Sequence, residues 1–186
     1  MKPFICTDIF GITSALIHLV DTLQLSERVT FIDPHSGLVD GFSDEGVAYQ
    51  AFTERGGING YIQTINDALL QYSSEPVQII GFSAGAAAAY VGLNQKNNAT
   101  QNRLFGFYPG QIRHYLALDN RLECCLVFPH QEAHFELDAV CESLRQQPLL
   151  EQTRTEYEHG FMNPLSKGFS RQGQAEYAEI LQRWLR

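Results

Sequence analysis

The strongest constraint on the fold is the alternation of strand-length apolar runs with helical patterns along the whole chain. Short runs rich in β-branched and aromatic residues predict strands, and apolar residues spaced three and four apart predict amphipathic helices. Strands are predicted at 4–7, 29–32, 77–82, 104–108, 123–128 and 153–157. Helices are predicted at 12–23, at 44–71 with a break at Gly56-Gly57, at 84–95, at 137–145 and near 177–185. Such alternation predicts an α/β fold, with a mostly parallel sheet and helices on both faces.

Length and composition agree with one globular domain over residues 1–186. The 186 residues are 44% hydrophobic and 18% charged, an ordinary balance for a chain that buries its own core. No internal repeat, linker or low-complexity segment interrupts the pattern. The formal net charge is −8, so we expect neither nucleic acid nor an anionic membrane as a partner. The sequence does not indicate an oligomeric state.

The cysteines and the N-terminus favour a cytoplasmic protein without metal. Cys6, Cys124, Cys125 and Cys141 have no metal-ligand spacing, and reduced, packed thiols are expected. The start of the chain has no signal-peptide pattern, and no apolar stretch approaches the length of a membrane span. The sequence indicates no cofactor.

One motif carries chemistry. Gly81-Phe82-Ser83-Ala84-Gly85 follows a predicted strand directly and precedes a helix of small residues. A G-x-S-x-G turn in that context projects its serine hydroxyl at the carboxyl edge of the sheet, where such folds place their working residues. Ser83 is therefore the predicted nucleophile. The alternatives are a tight turn without chemistry and a phosphate-binding turn at a helix N-terminus.

A serine nucleophile needs a base, and the base needs an orienting acid. His159 follows the last predicted strand, in the chain order Ser, acid, His that this fold uses. Glu132 is the favoured acid because it lies on the loop after strand 123–128, whereas Glu136 and Asp138 lie near a helix start, where carboxylates are common caps.

The remaining histidines have no predicted role. His130 and His134 flank Glu132 without a complete ligand set, so no metal site is expected. His18 and His35 are expected to face solvent, and nothing in the sequence assigns a role to His114.

Three segments together resemble the dienelactone hydrolases of the α/β-hydrolase superfamily. They are the segment from Thr7 to Gly11 (TDIFG), the elbow around Ser83, and His159-Gly160-Phe161. The resemblance implies a compact α/β-hydrolase core without a cap domain. It also implies an oxyanion hole formed by the backbone N–H groups of Ile9 and Ala84, and a substrate site lined by aromatic residues. The resemblance implies this position for Tyr108, and in the absence of a lid the loops after the strands are expected to contribute Phe10 and Phe161 as well.

The sequence departs from the family pattern at two catalytic positions: serine replaces the usual cysteine nucleophile, and Glu132 replaces the usual aspartate. We therefore expect a serine hydrolase that cleaves a small ester or lactone through an acyl-enzyme. The alternatives are a thioesterase or acyltransferase with the same triad, and a non-catalytic binding domain. Residues 109–122 are too few for a helical lid, so the expected substrate is a small soluble molecule.

Overall fold

The fold is built on one six-stranded sheet in which every strand runs parallel to its neighbours. The computed structural model describes residues 1–72, 75–96 and 99–186. The strands are β1 (Lys2–Cys6), β2 (Thr30–Ile32), β3 (Val77–Phe82), β4 (Arg103–Phe107), β5 (Glu123–Phe128) and β6 (Leu150–Arg154). The helices are α1 (Ser14–Thr22), α2 (Glu45–Glu54), α3 (Gly57–Ala68), α4 (Ala84–Asn94), α5 (Leu137–Arg145) and α6 (Arg171–Trp184).

The predicted α/β class is confirmed, with two differences in detail. The sheet is wholly rather than mostly parallel. The strand predicted at 153–157 is β6, which begins and ends three residues earlier. This edge strand is largely exposed, and its sequence LEQTR lacks the apolar run that marks the buried strands. The predicted break at Gly56-Gly57 separates α2 from α3, with Gly56 at φ +93°.

Both faces of the sheet are covered, because successive side chains along each strand point in opposite directions. Ile79 of β3 packs in a core with α2, α3, α4 and α5, while its neighbour Ile80 packs in a second core with α1 and α6. All six residues of β3 are buried, as expected for a central parallel strand. None of the described helices has the length and apolar character needed to cross a bilayer.

The strand order sets the position of the site. The order is β2-β1-β3-β4-β5-β6, so β2 pairs with one side of β1 and β3 pairs with the other side. The direction in which strands are added to the sheet therefore reverses at β1. In open parallel sheets the crevice lies outside the carboxyl ends of the strands at such a reversal. Cys6, the last residue of β1, pairs with Gly81 near the end of β3, so residues 7–9 emerge beside Ser83.

Tyr61 links the C-terminal ends of β1 and β2. Its buried hydroxyl donates to the carbonyl of Ile32 at 2.7 Å and lies 3.0 Å from the carbonyl of Thr7. The amide of Thr7 donates to the same Ile32 carbonyl at 3.1 Å. One side chain of α3 thus fixes the point where β1 passes into the loop that reaches the site.

We expect Tyr61→Phe to lower the free energy of unfolding by about 1–2 kcal/mol, because it removes a buried donor from two carbonyls. Urea denaturation measures the change, and an unaltered m-value would show that the unfolded state is unaffected. Tyr49→Phe is the matched control, since Tyr49 is 56% exposed and should shift stability by less than about 0.5 kcal/mol. Equal effects of the two substitutions would contradict the role assigned to Tyr61.

Candidate active site

Ser83 occupies a strained turn between β3 and α4. Its backbone angles are φ 49° and ψ −115°, outside the regions that residues with a side chain favour. The amide of Ser83 donates to the carbonyl of Phe107 at 2.9 Å, which extends the ladder between β3 and β4 by one bond. The turn therefore ends the strand abruptly and turns the hydroxyl of Ser83 towards the open edge of the sheet.

The two glycines of the motif are required by close backbone approach. A Cβ atom on Gly81 would lie 2.6 Å from Cα of Ala86, and one on Gly85 would lie 2.2 Å from the carbonyl oxygen of Thr7. Helix α4 thus crosses the ends of β1 and β3 with no room for a side chain at either position. This contact brings the N-terminus of α4 against the loop that follows β1.

His159 lies within hydrogen-bond distance of Ser83. The distance from Oγ of Ser83 to Nε2 of His159 is 2.9 Å, although 76 residues separate the two along the chain. The loop after β6 carries His159, and the ring of Tyr108 packs under the imidazole with 4.9 Å between ring centroids. The loop is tightly wound here, since a Cβ on Gly168 would lie 2.1 Å from the carbonyl oxygen of His159.

Glu132 accepts a hydrogen bond from the other nitrogen of His159. The distance from Nδ1 to Oε1 of Glu132 is 2.8 Å, and the glutamate side chain is 10% exposed. Of the three acids considered from the sequence, the structure thus brings Glu132 to the histidine. Glu136 is the N-cap residue of α5, and Asp138 forms an ion pair with Arg154 at the surface.

Arg154, at the end of β6, supports the loop that carries Glu132. Its guanidinium donates to the carbonyl oxygens of Pro129 and His130 and to the carboxylate of Asp138. Sequence reasoning missed this residue, because an arginine near the end of an edge strand has no distinguishing pattern. Its contacts hold the acid loop against the neighbouring strand.

The two predicted oxyanion donors flank Ser83 in the cleft. Ile9 and Ala84 line the same cleft as Ser83. Ala84 is the first residue of α4, so its N–H has no carbonyl partner within the helix. Within the described chain the amide of Ile9 makes no hydrogen bond. Neither amide is thus hydrogen-bonded to another group of the described chain.

The expectation that His35 faces solvent is wrong. His35 is 2% exposed, and its Nε2 lies 2.7 Å from the carbonyl oxygen of Ile9. Because a carbonyl oxygen only accepts, Nε2 carries the proton. Asp33 holds the histidine by accepting from its backbone amide at 2.7 Å. The loop after β2 thus contacts Ile9 through the side chain of His35. The spacing of residues in the sequence does not predict this contact.

Asp8 is a second residue that sequence reasoning missed. Its buried carboxylate accepts hydrogen bonds from the backbone amide of Phe10 at 2.9 Å and from Nδ2 of Asn163 at 2.6 Å. Burial raises the pKa of Asp8 to about 6, although both hydrogen bonds and the nearby His159 act in the opposite direction. The protein therefore holds a desolvated carboxyl group close to the Ser83–His159 pair.

An open cleft of about 1140 Å³ runs over Ser83 and His159. Its walls come from the loop after β1 and the start of α2, from the turn Gly110–His114, and from the loops after β5 and β6. Polar and charged side chains are the more numerous lining residues, while Ile9, Tyr49, Ala84 and Phe135 contribute apolar surface. Only a short 3₁₀ turn lies between β4 and β5 in the described chain, and no cap domain is evident there.

The three aromatic residues expected to line the substrate site do not line this cleft. Phe10 is 3% exposed, and Tyr108 and Phe161 are fully buried in the core beneath α1 and α6. Tyr108 and Phe161 pack against each other behind His159, with ring centroids 5.5 Å apart. Both residues lie in segments that follow strands, as expected, but their side chains point into the core rather than into the cleft.

The four cysteines are free in the structure. Burial raises the thiol pKa values of Cys6, Cys124 and Cys141, and that of Cys125 to about 11. Thiolates, the reactive form, are therefore scarce near neutral pH.

The sequence matches no protein-family model and no curated protein sequence. The fold, however, is similar to those of solved structures of α/β-hydrolases. A dienelactone hydrolase-like promiscuous phosphotriesterase from metagenomic libraries superimposes with a TM-score of 0.65 at 14% identity, covering 98% of this chain and 84% of that one. The dienelactone hydrolase of Anabaena variabilis gives 0.62 at 14% identity, with coverage of 98% and 83%.

A cold-adapted esterase from an Arctic intertidal metagenomic library gives 0.59 at 13% identity, covering 100% of this chain and 82% of that one. The expected resemblance to the dienelactone hydrolase fold is therefore confirmed. At these identities the likeness establishes the fold.

We expect the ionised Asp8 carboxylate to cost stability. Since its pKa is raised from 3.8 to about 6, the folded state binds more protons than the unfolded state between these values, and the stability it contributes is lost as pH rises through them. The difference in unfolding free energy between wild type and Asp8→Asn should therefore fall by about 2 kcal/mol from pH 4 to pH 7. Urea denaturation at several pH values measures it, and a difference independent of pH would contradict the assignment.

Proposed function

We propose that this protein is a serine hydrolase that cleaves a small ester or lactone through an acyl-enzyme, with Ser83 as nucleophile, His159 as general base and Glu132 as its partner. The observation that carries the proposal is the continuous hydrogen-bonded chain from Oγ of Ser83 to His159, 2.9 Å, and from His159 to Glu132, 2.8 Å. A nucleophile, a base and an orienting acid in this order form the arrangement that activates a serine hydroxyl.

In the acylation step, Oγ of Ser83 attacks the carbonyl carbon as Nε2 of His159 takes the hydroxyl proton. Nε2 must be the unprotonated nitrogen for this transfer, and Nδ1–H donates to Glu132. The carboxylate thereby fixes the tautomer and stabilises the imidazolium that forms. The imidazolium then protonates the leaving alkoxide, which departs and leaves the acyl group on Ser83.

The oxygen of the tetrahedral intermediate carries the developing negative charge. The backbone N–H groups of Ile9 and Ala84 would donate to it, and each such donor is worth about 3–4 kcal/mol of barrier. In the deacylation step, His159 takes a proton from water, which attacks the acyl carbon. Ser83 regains its proton when the acid product leaves.

The structural relatives support a hydrolase of ester-type bonds. They include dienelactone hydrolase-like proteins, esterases and an N-formylmaleamic acid deformylase. One esterase of similar fold, Est1E from Butyrivibrio proteoclasticus, was solved with ferulic acid bound, at 11% identity and a TM-score of 0.62. Together with the open cleft, these relatives favour a small soluble substrate over a long-chain lipid.

Two alternatives use the same residues differently. A thioesterase or acyltransferase would share the triad and differ in the leaving group or in the acceptor. A panel of p-nitrophenyl esters, lactones and acyl-CoA thioesters separates these activities. A non-catalytic binding domain would leave Ser83 unreactive towards a fluorophosphonate probe, which tests for an activated serine directly.

Ser83→Ala should lower kcat/KM by at least ~10³-fold on any ester that the wild type cleaves, because the nucleophile is lost. The fold should be retained, since the substitution removes only a hydroxyl. Ester hydrolysis and fluorophosphonate labelling, with the adduct located by mass spectrometry, are the measurements. Near-normal turnover by the variant would end the proposal.

Glu132→Gln should lower kcat by at least ~10²-fold, because the amide no longer stabilises the imidazolium. Asp138→Asn and Glu136→Gln are the matched controls, since neither carboxylate contacts His159. Steady-state kinetics on one ester compares all three. If a control variant loses as much activity as Glu132→Gln, the assignment of the acid is refuted.

The acyl chain-length profile should peak between acetate and butyrate. The cleft is open to solvent, so each further methylene stays in water and gains little of the ~0.8 kcal/mol that burial supplies. Values of kcat/KM for p-nitrophenyl esters from acetate to palmitate measure the profile. A maximum at octanoate or beyond would indicate an acyl tunnel.

A further inference from the structure

Asp8 connects two loops that meet at Ser83 and are otherwise distant in the chain. One carboxylate oxygen accepts from the amide of Phe10 at 2.9 Å, and the other accepts from Nδ2 of Asn163 at 2.6 Å. Asp8 and Asn163 are 155 residues apart in sequence. The same side chain therefore contacts the loop of the proposed oxyanion donor Ile9 and the loop of His159.

The bond to Phe10 shapes the turn that contains Ile9. Together with the bond from the amide of Gly11 to the carbonyl of Asp8, 3.1 Å, it closes a turn over residues 8–11. Such a side-chain-closed turn sets the direction of the peptide between Asp8 and Ile9, whose N–H is the proposed oxyanion donor. A shift of Asp8 would therefore move that N–H.

The bond to Asn163 fixes the loop of the base. The amide of Asn163 donates to the carbonyl of Gly160, at 2.9 Å, and its Oδ1 accepts from the amide of Leu165, also at 2.9 Å. Asn163 is thus part of a wound turn that begins at the residue after His159. The Nδ2 group of Asn163 donates to the carboxylate of Asp8 in the other loop.

A carboxylate is the side chain that this position requires. Two N–H donors converge on residue 8, and only an ionised carboxylate offers two acceptor oxygens with no proton of its own. An asparagine would have to turn its NH₂ group towards one of the two donors. Burying the ionised carboxylate of Asp8 costs free energy, and the hydrogen bonds from Phe10 and Asn163 offset part of that cost.

We infer that Asp8 and Asn163 form a clamp that sets the position of the oxyanion donor Ile9 relative to the base His159. Both are positioning residues, and the inference rests on the proposed hydrolase function. The clamp holds the two loops at the geometry that the tetrahedral intermediate requires. Its loss should therefore lower kcat and leave KM nearly unchanged, because the interaction it supports forms only in the transition state.

A reciprocal swap tests the clamp. Asp8→Asn places an NH₂ group against an N–H donor, and Asn163→Asp places two carboxylates face to face. Each single variant should lower kcat at least ~10-fold with KM within about twofold of wild type, since small misplacement of reacting groups is costly.

The double variant Asp8→Asn/Asn163→Asp exchanges the donor and the acceptor of the cross-loop bond. The amide side chain at position 8 then accepts from Phe10 and donates to the carboxylate at position 163, which still accepts from Leu165. All three hydrogen bonds are restored, and kcat should return to within about threefold of wild type.

Asp40→Asn is the matched control. The carboxylate of Asp40 also accepts two hydrogen bonds across the chain, both from Ser14, but Asp40 does not line the cleft. Its kcat should equal that of wild type. A merely structural role for Asp8 would lower the melting temperature of the single variants while the folded enzyme kept its kcat, and that result would overturn the clamp.

A second variant and the rate of fluorophosphonate labelling provide two further tests of the clamp. If Asp8→Asn does not fold, Asn163→Ala, which removes the cross-loop donor together with the acceptor of the Leu165 amide, should still lower kcat. The rate of fluorophosphonate labelling at Ser83 should follow kcat across the series. Wild type that neither hydrolyses the panel nor labels at Ser83 would refute the proposed function, whereas an active wild type with unimpaired single variants would refute the clamp alone.

Discussion

The close passage of α4 across the ends of β1 and β3 is the constraint on which the rest of the site depends. Parallel pairing aligns Cys6 with Gly81, so both strands end at the same height. The helix starts directly from β3 and lies so near β1 that Gly85 has no room for a Cβ atom. Ser83 absorbs the sharp change of direction at φ 49°. Any side chain at Gly85 would push the helix away from β1 and separate the serine from the loop that carries Ile9.

The other residues linked to Ser83 come from the half of the sheet formed by β4, β5 and β6. The loops after β5 and β6 supply Glu132 and His159, and the turn after β4 passes so close that a Cβ on Gly110 would lie 3.3 Å from the carboxylate of Glu132. The guanidinium of Arg154 donates to two carbonyl oxygens of the loop that carries Glu132. Rigid strands thus position the ends of the loops, and hydrogen bonds within and between the loops complete the geometry. This division explains why one sheet can place groups from distant parts of the chain within 3 Å of one another.

The sequence was informative where chemistry and local pattern coincide. The alternation of elements and the elbow around Ser83 follow from short-range rules, and the order of Ser83, Glu132 and His159 is the one that this fold uses. The structure brings these three side chains together. The direction of side chains at strand ends does not follow from such rules. Phe10, Tyr108 and Phe161 lie in segments that follow strands, as the sequence predicts, but their side chains are buried. The buried His35 and the pair of Asp8 with Asn163 depend on contacts between distant segments, which no spacing in one sequence reveals.

The order of strands along one half of the sheet has a consequence for how the molecule matures. From β3 through β4 and β5 to β6, each new strand joins the edge left by the strand before it. A chain that emerges from the ribosome can therefore extend its sheet in the order of synthesis, with Ser83 already presented at the elbow. His159 follows β6 and is the last of the three linked side chains to appear, and Asn163 appears later still. In this order of synthesis Ser83 precedes both of its linked partners, so the set of three side chains is complete only after β6 and the loop that follows it have been added.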